Sequence, residues 1–255
     1  MYQFFHNILS DKKGGTVFTC FGGWHFAYMA LVFGTIILIL LLFKNKDRKT
    51  KSRVADITAT VAFCGYISDF FLMPIAYGEI VIENLPFHGC TATCVLCYLS
   101  HHTQFLAKYR QQFAVIGLAS NLIYVFYPAG IGWHMVHPLS YRVISSFFFH
   151  GTMTAHGIFT LAFDGFELKW RKCYKELGII CGMVAWALLG NTVYNGAAEG
   201  YDNFFNWFFV VRDPFYMLPA DIAPFIMPFV MIAVMFVAVL LIYSAYFGIK
   251  KIIKV

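Results

Sequence analysis

Long apolar runs alternate with short polar segments along the whole chain. A membrane-spanning helix needs about 20 mostly apolar residues, and Gly, Pro, Asn or charged residues separate seven runs near that length. The pattern therefore predicts an all-α, polytopic transmembrane helical bundle of about seven spans. The predicted spans are Trp24–Phe43, Val54–Tyr77, Pro86–Phe105, Phe113–Pro128, Tyr141–Phe163, Leu177–Tyr194 and Ile222–Phe247.

Composition agrees with a chain that lies in lipid. Hydrophobic residues make up 60% of it and charged residues 13%, whereas a soluble domain carries about 25% charged residues. The seven cysteines fall mostly inside apolar runs, which argues against a secreted disulfide framework. No internal repeat and no cleavable signal peptide is evident, so we expect a single integral membrane domain over residues 1–255.

The basic residues orient the predicted bundle. Fifteen of the nineteen Lys and Arg residues follow the first, third, fifth and seventh runs, and four lie on the other side. Lys and Arg concentrate on the cytoplasmic side of membrane proteins. We therefore expect an external N-terminus and a cytoplasmic C-terminus. The net charge of +6 follows from this topology and does not indicate nucleic acid as a partner.

Several polar side chains lie inside predicted spans, where they are costly and usually face the bundle interior. Asp69 lies deepest, and either a cavity or a structural pairing would explain it. Asp164, His101 and His102 lie near cytoplasmic ends, where we expect them to reach water. No set of residues has metal-ligand spacing, and we expect no metal and no cofactor.

The third predicted span begins with Leu85-Pro86-Phe87-His88-Gly89-Cys90. Proline suits the first turn of a helix, so Cys90 is expected within a turn of the external end. The free N–H groups and positive end of the helix favour a thiolate there. We expect a non-helical entry at Asn84–Phe87, and a stripe from Cys90 through Cys94, Cys97 and His101 that faces other helices.

The fifth predicted span places His150 and Thr154 on one face. His150 follows three phenylalanines in mid-span. A neutral imidazole there could act as general base to a thiol or hydroxyl. A hydrogen bond between helices would explain it equally well, and both interpretations stay open.

These segments together resemble the transmembrane protein 164 family, which includes bacterial YwaF-like membrane proteins. The segment with His88 and Cys90 resembles the family's Leu-Pro-Leu-His-Leu-Cys signature. Phe-Phe-Phe-His150 resembles its second conserved histidine, and Asn206-Trp-Phe-Phe with Arg212-Asp-Pro resembles the connection before its last span. The resemblance runs roughly from Asp56 onward. Gly89 departs from it by replacing a large apolar residue, and we expect a more flexible helix entry there.

The resemblance implies acyl transfer on phospholipids through a cysteine thioester. Carried over, Cys90 is the nucleophile, His150 its base and His88 a supporting donor. Membrane phospholipids or lysophospholipids would be the partners, with no indication of oligomeric state. Two alternatives remain. One is a lipid or small-molecule transporter or binding protein that uses the same polar residues to line a cavity within the membrane, and the other is a haem protein with two histidine ligands. Candidate substrate-binding residues are Asp69, Thr154, Asn206 and Arg212.

The last external connection, Ala197–Asp221, is long and rich in polar and aromatic residues. Long loops of this kind usually have a function. We expect it to fold over the bundle mouth as a partial lid, with Trp207 and Phe215 buried or at the lipid interface. The polar residues of the lid would be Asp202, Asn203, Asn206 and Arg212.

Overall fold

The computed structural model describes residues 15–78, 82–132, 135–195 and 205–253. Every regular element among these residues is helical, and none is a strand. The long helices are α1 (Gly23–Phe43), α2 (Arg48–Tyr77), α3 (Gly89–His102), α4 (Arg110–Phe126), α5 (Tyr141–Phe163), α6 (Tyr174–Asn195) and α7 (Ala223–Ile253).

These helices follow the predicted apolar runs in order, with shifted ends. The third run predicted a helix to Phe105, but α3 stops at His102 and a short helix, Gln104–Ala107, follows Thr103. Further short elements lie in the connections. They are the helix Ala129–Gly132 and the 3-10 helices Ile82–Asn84, Trp170–Lys172 and Trp207–Phe209.

Four helices in the described part of the chain are long and apolar enough to cross a membrane. The helices α3 and α4 have 14 and 17 residues, and in the 23-residue α5 the histidines, threonines and serines lower the hydropathy. The four helical stretches indicate an integral membrane protein. They are Gly23–Phe43, Arg48–Tyr77, Trp170–Asn195 and Ala223–Ile252.

The chain divides into two compact units. The first comprises Met1–Ile82 and Cys94–Phe166, and in it α5 packs against α1, α2 and α4. Small residues bring these helices close. A Cβ atom on Gly151 would lie 2.6 Å from Val32 Cγ2 of α1, and one on Gly157 would lie 2.6 Å from Leu118 Cβ of α4. Helices in lipid associate through such close packing.

The second unit comprises Glu83–Thr93 and Glu167–Val255. Here α6 packs against α7, and the 3-10 helix Trp207–Phe209 contacts both. A buried hydrogen bond of 2.8 Å from the Tyr243 hydroxyl to Glu176 Oε1 joins the two helices. Both side chains are at most 1% exposed, so the carboxyl of Glu176 is buried with a specific partner.

Candidate functional site

The segment that carries His88 and Cys90 enters α3 through irregular backbone. Leu85–His88 lie outside α3, which begins at Gly89, whereas Asn84 ends the 3-10 helix Ile82–Asn84. The predicted non-helical entry is therefore confirmed for Leu85–Phe87 and wrong for Asn84. The carbonyl of His88 accepts the N–H of Ala92 at 2.9 Å. Cys90 is therefore in the first turn, where it is a half-buried free thiol.

Phe87 anchors this entry segment to α6. Its ring lies 4.9 Å from the rings of both Trp186 and Trp207. A Cβ atom on Gly190 would lie 2.4 Å from Phe87 Cδ1, so the ring occupies the space beside that glycine. The indole N–H of Trp186 also donates to the carbonyl of Pro86 at 2.8 Å. The backbone before Cys90 is thus held by packing and by hydrogen bonding.

His88 has a defined tautomer. The backbone N–H of Phe208 donates to His88 Nδ1 at 3.1 Å. Because a backbone N–H can only donate, Nδ1 must be the unprotonated nitrogen, and the neutral ring carries its hydrogen on Nε2. The free side of the imidazole is therefore a hydrogen-bond donor.

Gly89 has no room for a side chain. A Cβ atom there would lie 2.5 Å from Phe208 Cε2. The ring of Phe208 fills the space that a large residue would take, and the more flexible entry expected at Gly89 stays a prediction. Phe208 and Phe209 have left-handed backbone angles, with φ of 57° and 54°. Such conformations are costly for bulky residues and cluster at functional sites.

Two asparagines of α6 hold the strained segment. Asn191 Nδ2 donates to the Trp207 carbonyl, and Asn191 Oδ1 accepts the Trp207 N–H, both at 3.0 Å. One turn later, Asn195 Nδ2 donates to the Phe205 carbonyl at 2.8 Å and Asn195 Oδ1 accepts the Phe205 N–H at 2.7 Å. Each side-chain amide thus pairs with one residue's backbone, as a neighbouring β-strand would.

His150, in the first unit, has the opposite tautomer to His88. Its Nδ1 lies 2.8 Å from Asn121 Oδ1. Asn121 Nδ2 donates to the Gly117 carbonyl at 2.8 Å, so the amide oxygen must face the histidine. The Nδ1 of His150 therefore carries the hydrogen, and its Nε2 keeps a basic lone pair.

The surroundings of His150 fix the plane of its ring. The Tyr124 ring stacks on it with centroids 3.6 Å apart, and Phe149 meets it edge-on at 5.0 Å. His150 is only 6% exposed. Thr154, one turn further along α5, is fully buried, and its hydroxyl has no hydrogen-bond partner among the described residues.

The remaining polar residues of the spans have mostly structural partners. Asp69 Oδ1 accepts the Tyr141 hydroxyl at 2.5 Å. The expectation that Asp164 and His101 reach water is wrong, because their side chains are both 3% exposed, whereas that of His102 is 42% exposed. Cys94 and Cys97 are fully buried, as expected for a stripe that faces other helices.

In the last connection, Asn206 closes a turn. Its Oδ1 accepts the N–H groups of Val211 and Arg212 at 3.2 and 3.1 Å, and its Nδ2 donates to the Arg212 carbonyl at 3.0 Å. Trp207 is buried, whereas Phe215 is 65% exposed. Asp202 and Asn203 lie outside the described residues, and the lid stays a prediction.

Three asparagines that orient the groups described above were not among the predicted site residues, although the sequence contains a signal for them. Asn121, Asn191 and Asn195 are strongly polar side chains within apolar helices, a combination that usually indicates a buried hydrogen bond. What a single sequence lacks is the identity of each partner, because those partners lie between 10 and 29 residues away.

His88 and Cys90 belong to the second unit, and Asp69, His150 and Thr154 to the first. The pairing of Cys90 with His150 therefore stays a prediction.

Comparison with known proteins gives one finding. The model of the TMEM164 family matches residues 20–247, a range that contains every candidate residue named above. The corresponding comparisons with curated proteins and with solved structures return no match. Because the matched range covers most of its length, this chain belongs to the TMEM164 family.

Proposed function

We propose that the protein is a membrane-embedded acyltransferase that moves a phospholipid acyl chain through a thioester on Cys90. The observation that carries the proposal is the hydrogen bond between Asn121 and His150, 2.8 Å long. It places the hydrogen of the neutral ring on Nδ1, so that Nε2 carries the basic lone pair that a general base for a thiol requires. The opposite tautomer of His88 supports its role as a donor to a developing oxyanion.

The proposed reaction has two halves. In the first, His150 Nε2 takes the Cys90 thiol proton, sulfur attacks the ester carbonyl of the donor lipid, and the proton passes to the departing lysophospholipid oxygen. In the second, the hydroxyl of an acceptor lysophospholipid gives its proton to Nε2 and attacks the thioester. The thiolate leaves and recovers the proton, so the enzyme is unchanged and no net oxidation occurs.

We further propose a seven-span topology with a cytoplasmic C-terminus, in the plasma membrane of a bacterium. The fifteen basic residues in alternate connections support the orientation. The resemblance to YwaF-like proteins supports the location. Substrate binding by Asp69, Thr154, Asn206 and Arg212 belongs to the same proposal, with the unpartnered hydroxyl of Thr154 as the group best suited to a lipid oxygen.

A lipid with a thiol-reactive chloroacetyl group tests the nucleophile. Purified protein should take up one label at Cys90, and a donor phospholipid should leave a hydroxylamine-sensitive acyl group on the same residue. Cys90→Ser should lose both signals. Cys64→Ser and Cys181→Ser, which replace exposed cysteines, should keep them. Acylation that persists in Cys90→Ser would reject the thioester and favour transport or lipid binding.

The base is tested by rates at neutral pH. His150→Ala should slow acylation of Cys90 by about 10²–10⁴-fold, the usual contribution of a general base. Asn121→Ala should slow it less, because the imidazole remains but is no longer held in one tautomer. If acylation in both variants matches the wild-type rate, His150 is not the base.

A further inference from the structure

An open pocket of about 610 Å³ lies at one end of the first unit. It is separate from the surroundings of His150 and has no part in the proposed acyl transfer. Side chains from α2, α3 and α4 form its walls. The lining residues are Arg48, Lys49, Ser52, Arg53, Asp56, His101 and Arg110.

The pocket is strongly cationic. Four lining side chains are Lys or Arg and one is a carboxylate, which gives a net charge of +3 with His101 neutral. The first turn of α2 supplies Arg48 and Lys49. The N-terminus of that helix is capped by the Asp47 carboxylate, which accepts the N–H of Thr50 at 3.0 Å, so the cationic side chains and not the helix end provide the positive potential. An anion is the ligand that this potential favours.

Two of the guanidinium groups are held in place. Arg110 Nε and Nη2 both donate to the Ser100 carbonyl, at 3.3 and 3.0 Å, and its Nη1 lies 3.7 Å from Asp164 Oδ2. Arg48 Nη2 donates to the Asp164 carbonyl at 3.2 Å. Gly165 follows in a left-handed conformation, φ 69°, and a Cβ there would lie 3.3 Å from Arg48 Nη2. Held guanidinium groups lose little further freedom on binding.

A buried polar atom in the wall lacks a partner. The side chain of His101 is 3% exposed, and its Nδ1 lies 3.7 Å from Asp56 Oδ1. Its Nε2 has no hydrogen-bond partner among the residues that the structure describes. Because this atom is inaccessible from the open pocket, it belongs to the packing behind the wall, where the His156 ring meets His101 edge-on at 5.3 Å, and it does not define the position of a ligand.

We infer that this pocket binds a phosphate-bearing group. Planar guanidinium forks, a lysine ammonium and the Ser52 hydroxyl are the donors that phosphate oxygens take in proteins. A net charge of +3 accommodates a monoester dianion. The carboxylate of Asp56 would pair with a cationic part of the same molecule. The phosphate is either the headgroup of a membrane lipid or that of a soluble phosphate ester.

Two probes distinguish these sources. Dioctanoyl phosphatidic acid and glycerol 3-phosphate are titrated separately into the protein in an uncharged detergent, and binding is followed by calorimetry. Binding of the lipid alone identifies a membrane headgroup. Comparable binding of glycerol 3-phosphate identifies a soluble ester, and either result supports a phosphate site. If the wild-type protein binds neither probe, the inference is wrong.

Matched variants locate the binding. Arg110→Gln should raise Kd by about tenfold or more, the effect of losing a charge-assisted hydrogen bond. Because Arg110 also has structural partners, Lys49→Gln with Arg53→Gln serves as a second variant, in which both side chains are exposed. Arg171→Gln with Lys172→Gln removes two exposed charges outside the pocket and should leave Kd within about twofold of the wild-type value. Equal losses in both double variants would overturn the inference.

Discussion

Gly89 stands where the resemblance led us to expect a large apolar residue, and the structure gives a steric reason for glycine at this position. The space beside it is taken by the ring of Phe208, 2.5 Å from where a Cβ atom would stand. The residue and the ring are thus complementary, and a change at one requires a change at the other.

Gly89→Ala should therefore lower the free energy of unfolding by about 1–3 kcal/mol, the usual cost of overpacking. Thermal unfolding in detergent would measure it. Gly182→Ala is the control, because nothing lies within 4 Å of a Cβ atom there. Phe208→Ala combined with Gly89→Ala should recover part of the loss as a coupling energy. A Gly89→Ala variant as stable as Gly182→Ala would show that the ring moves aside freely.

The position and protonation of single site residues could be predicted only in part from the sequence. Cys90 was expected near the start of a helix because proline suits a first helical turn, but Pro86 lies in a turn before the helix, which begins at Gly89. The tautomers of His88 and His150 did not follow, because each depends on one atom of a distant residue, Phe208 or Asn121. Local chemistry can be read from a sequence, whereas the partner of a buried imidazole requires the fold.

At the scale of elements, α6 holds the segment from Phe205 to Phe209 through side-chain amides. Asn191→Ala should leave the N–H and the carbonyl of Trp207 without that partner. We expect a loss of about 1–3 kcal/mol for each buried group left unsatisfied, seen as faster proteolysis at residues 205–213. Thr192→Ala is the neighbouring control, since its hydroxyl donates only within α6, to the Leu188 carbonyl. Equal protease resistance in the two variants would argue against a role of the Asn191 amide in holding this segment.

The turn after Asp213 should depend on pH. The N–H of Phe215, followed by those of Met217 and Leu218, donates to the carboxylate and lowers the pKa of Asp213. Since the folded pKa lies below the unfolded value of about 3.9, this stabilisation is complete above that value. It is lost as pH falls through the folded pKa.

This pH dependence can be tested by measuring the hydrogen-exchange protection factors of the Phe215, Met217 and Leu218 amides between neutral and acid pH. They should stay constant down to about pH 5 and fall at lower pH, given an ordinary aspartate pKa of about 3.9. Asp213→Asn should show weaker protection that does not change over the same range. Protection that rises on acidification would contradict the assignment of the carboxylate as acceptor.

The order of the helices was the most predictable property, because lipid requires long apolar runs whatever the packing. Their ends were less predictable. At the end of the third run, Thr103 has an extended backbone conformation and separates the helix that ends at His102 from the short helix Gln104–Ala107. The burial of Asp164 and His101 was missed because their side-chain partners, Arg110 and Asp56, come from other helices.

For the whole molecule, the proposed topology makes a direct prediction. Arg212→Cys should react with a membrane-impermeant maleimide on intact cells, and Lys251→Cys only after the membrane is opened, in a background with Cys64→Ser and Cys181→Ser. The unequal distribution of basic residues is the physical reason. Labelling after permeabilisation checks that both thiols are accessible. Equal labelling of both variants from outside would reject the orientation.

The contrast between the very apolar α1 and the polar α5 has a consequence for how the protein is made. A continuous stretch of 18 residues in α1 has a mean hydropathy of 2.7 with 6% of its residues buried, so α1 can enter the bilayer from the translocon unaided. In α5, His150, Thr154, His156 and Thr160 are all buried and would be costly to expose to lipid tails. Since α1, α2 and α4 precede α5 in the chain, we expect them to stay beside the translocon until α5 emerges and packs against them.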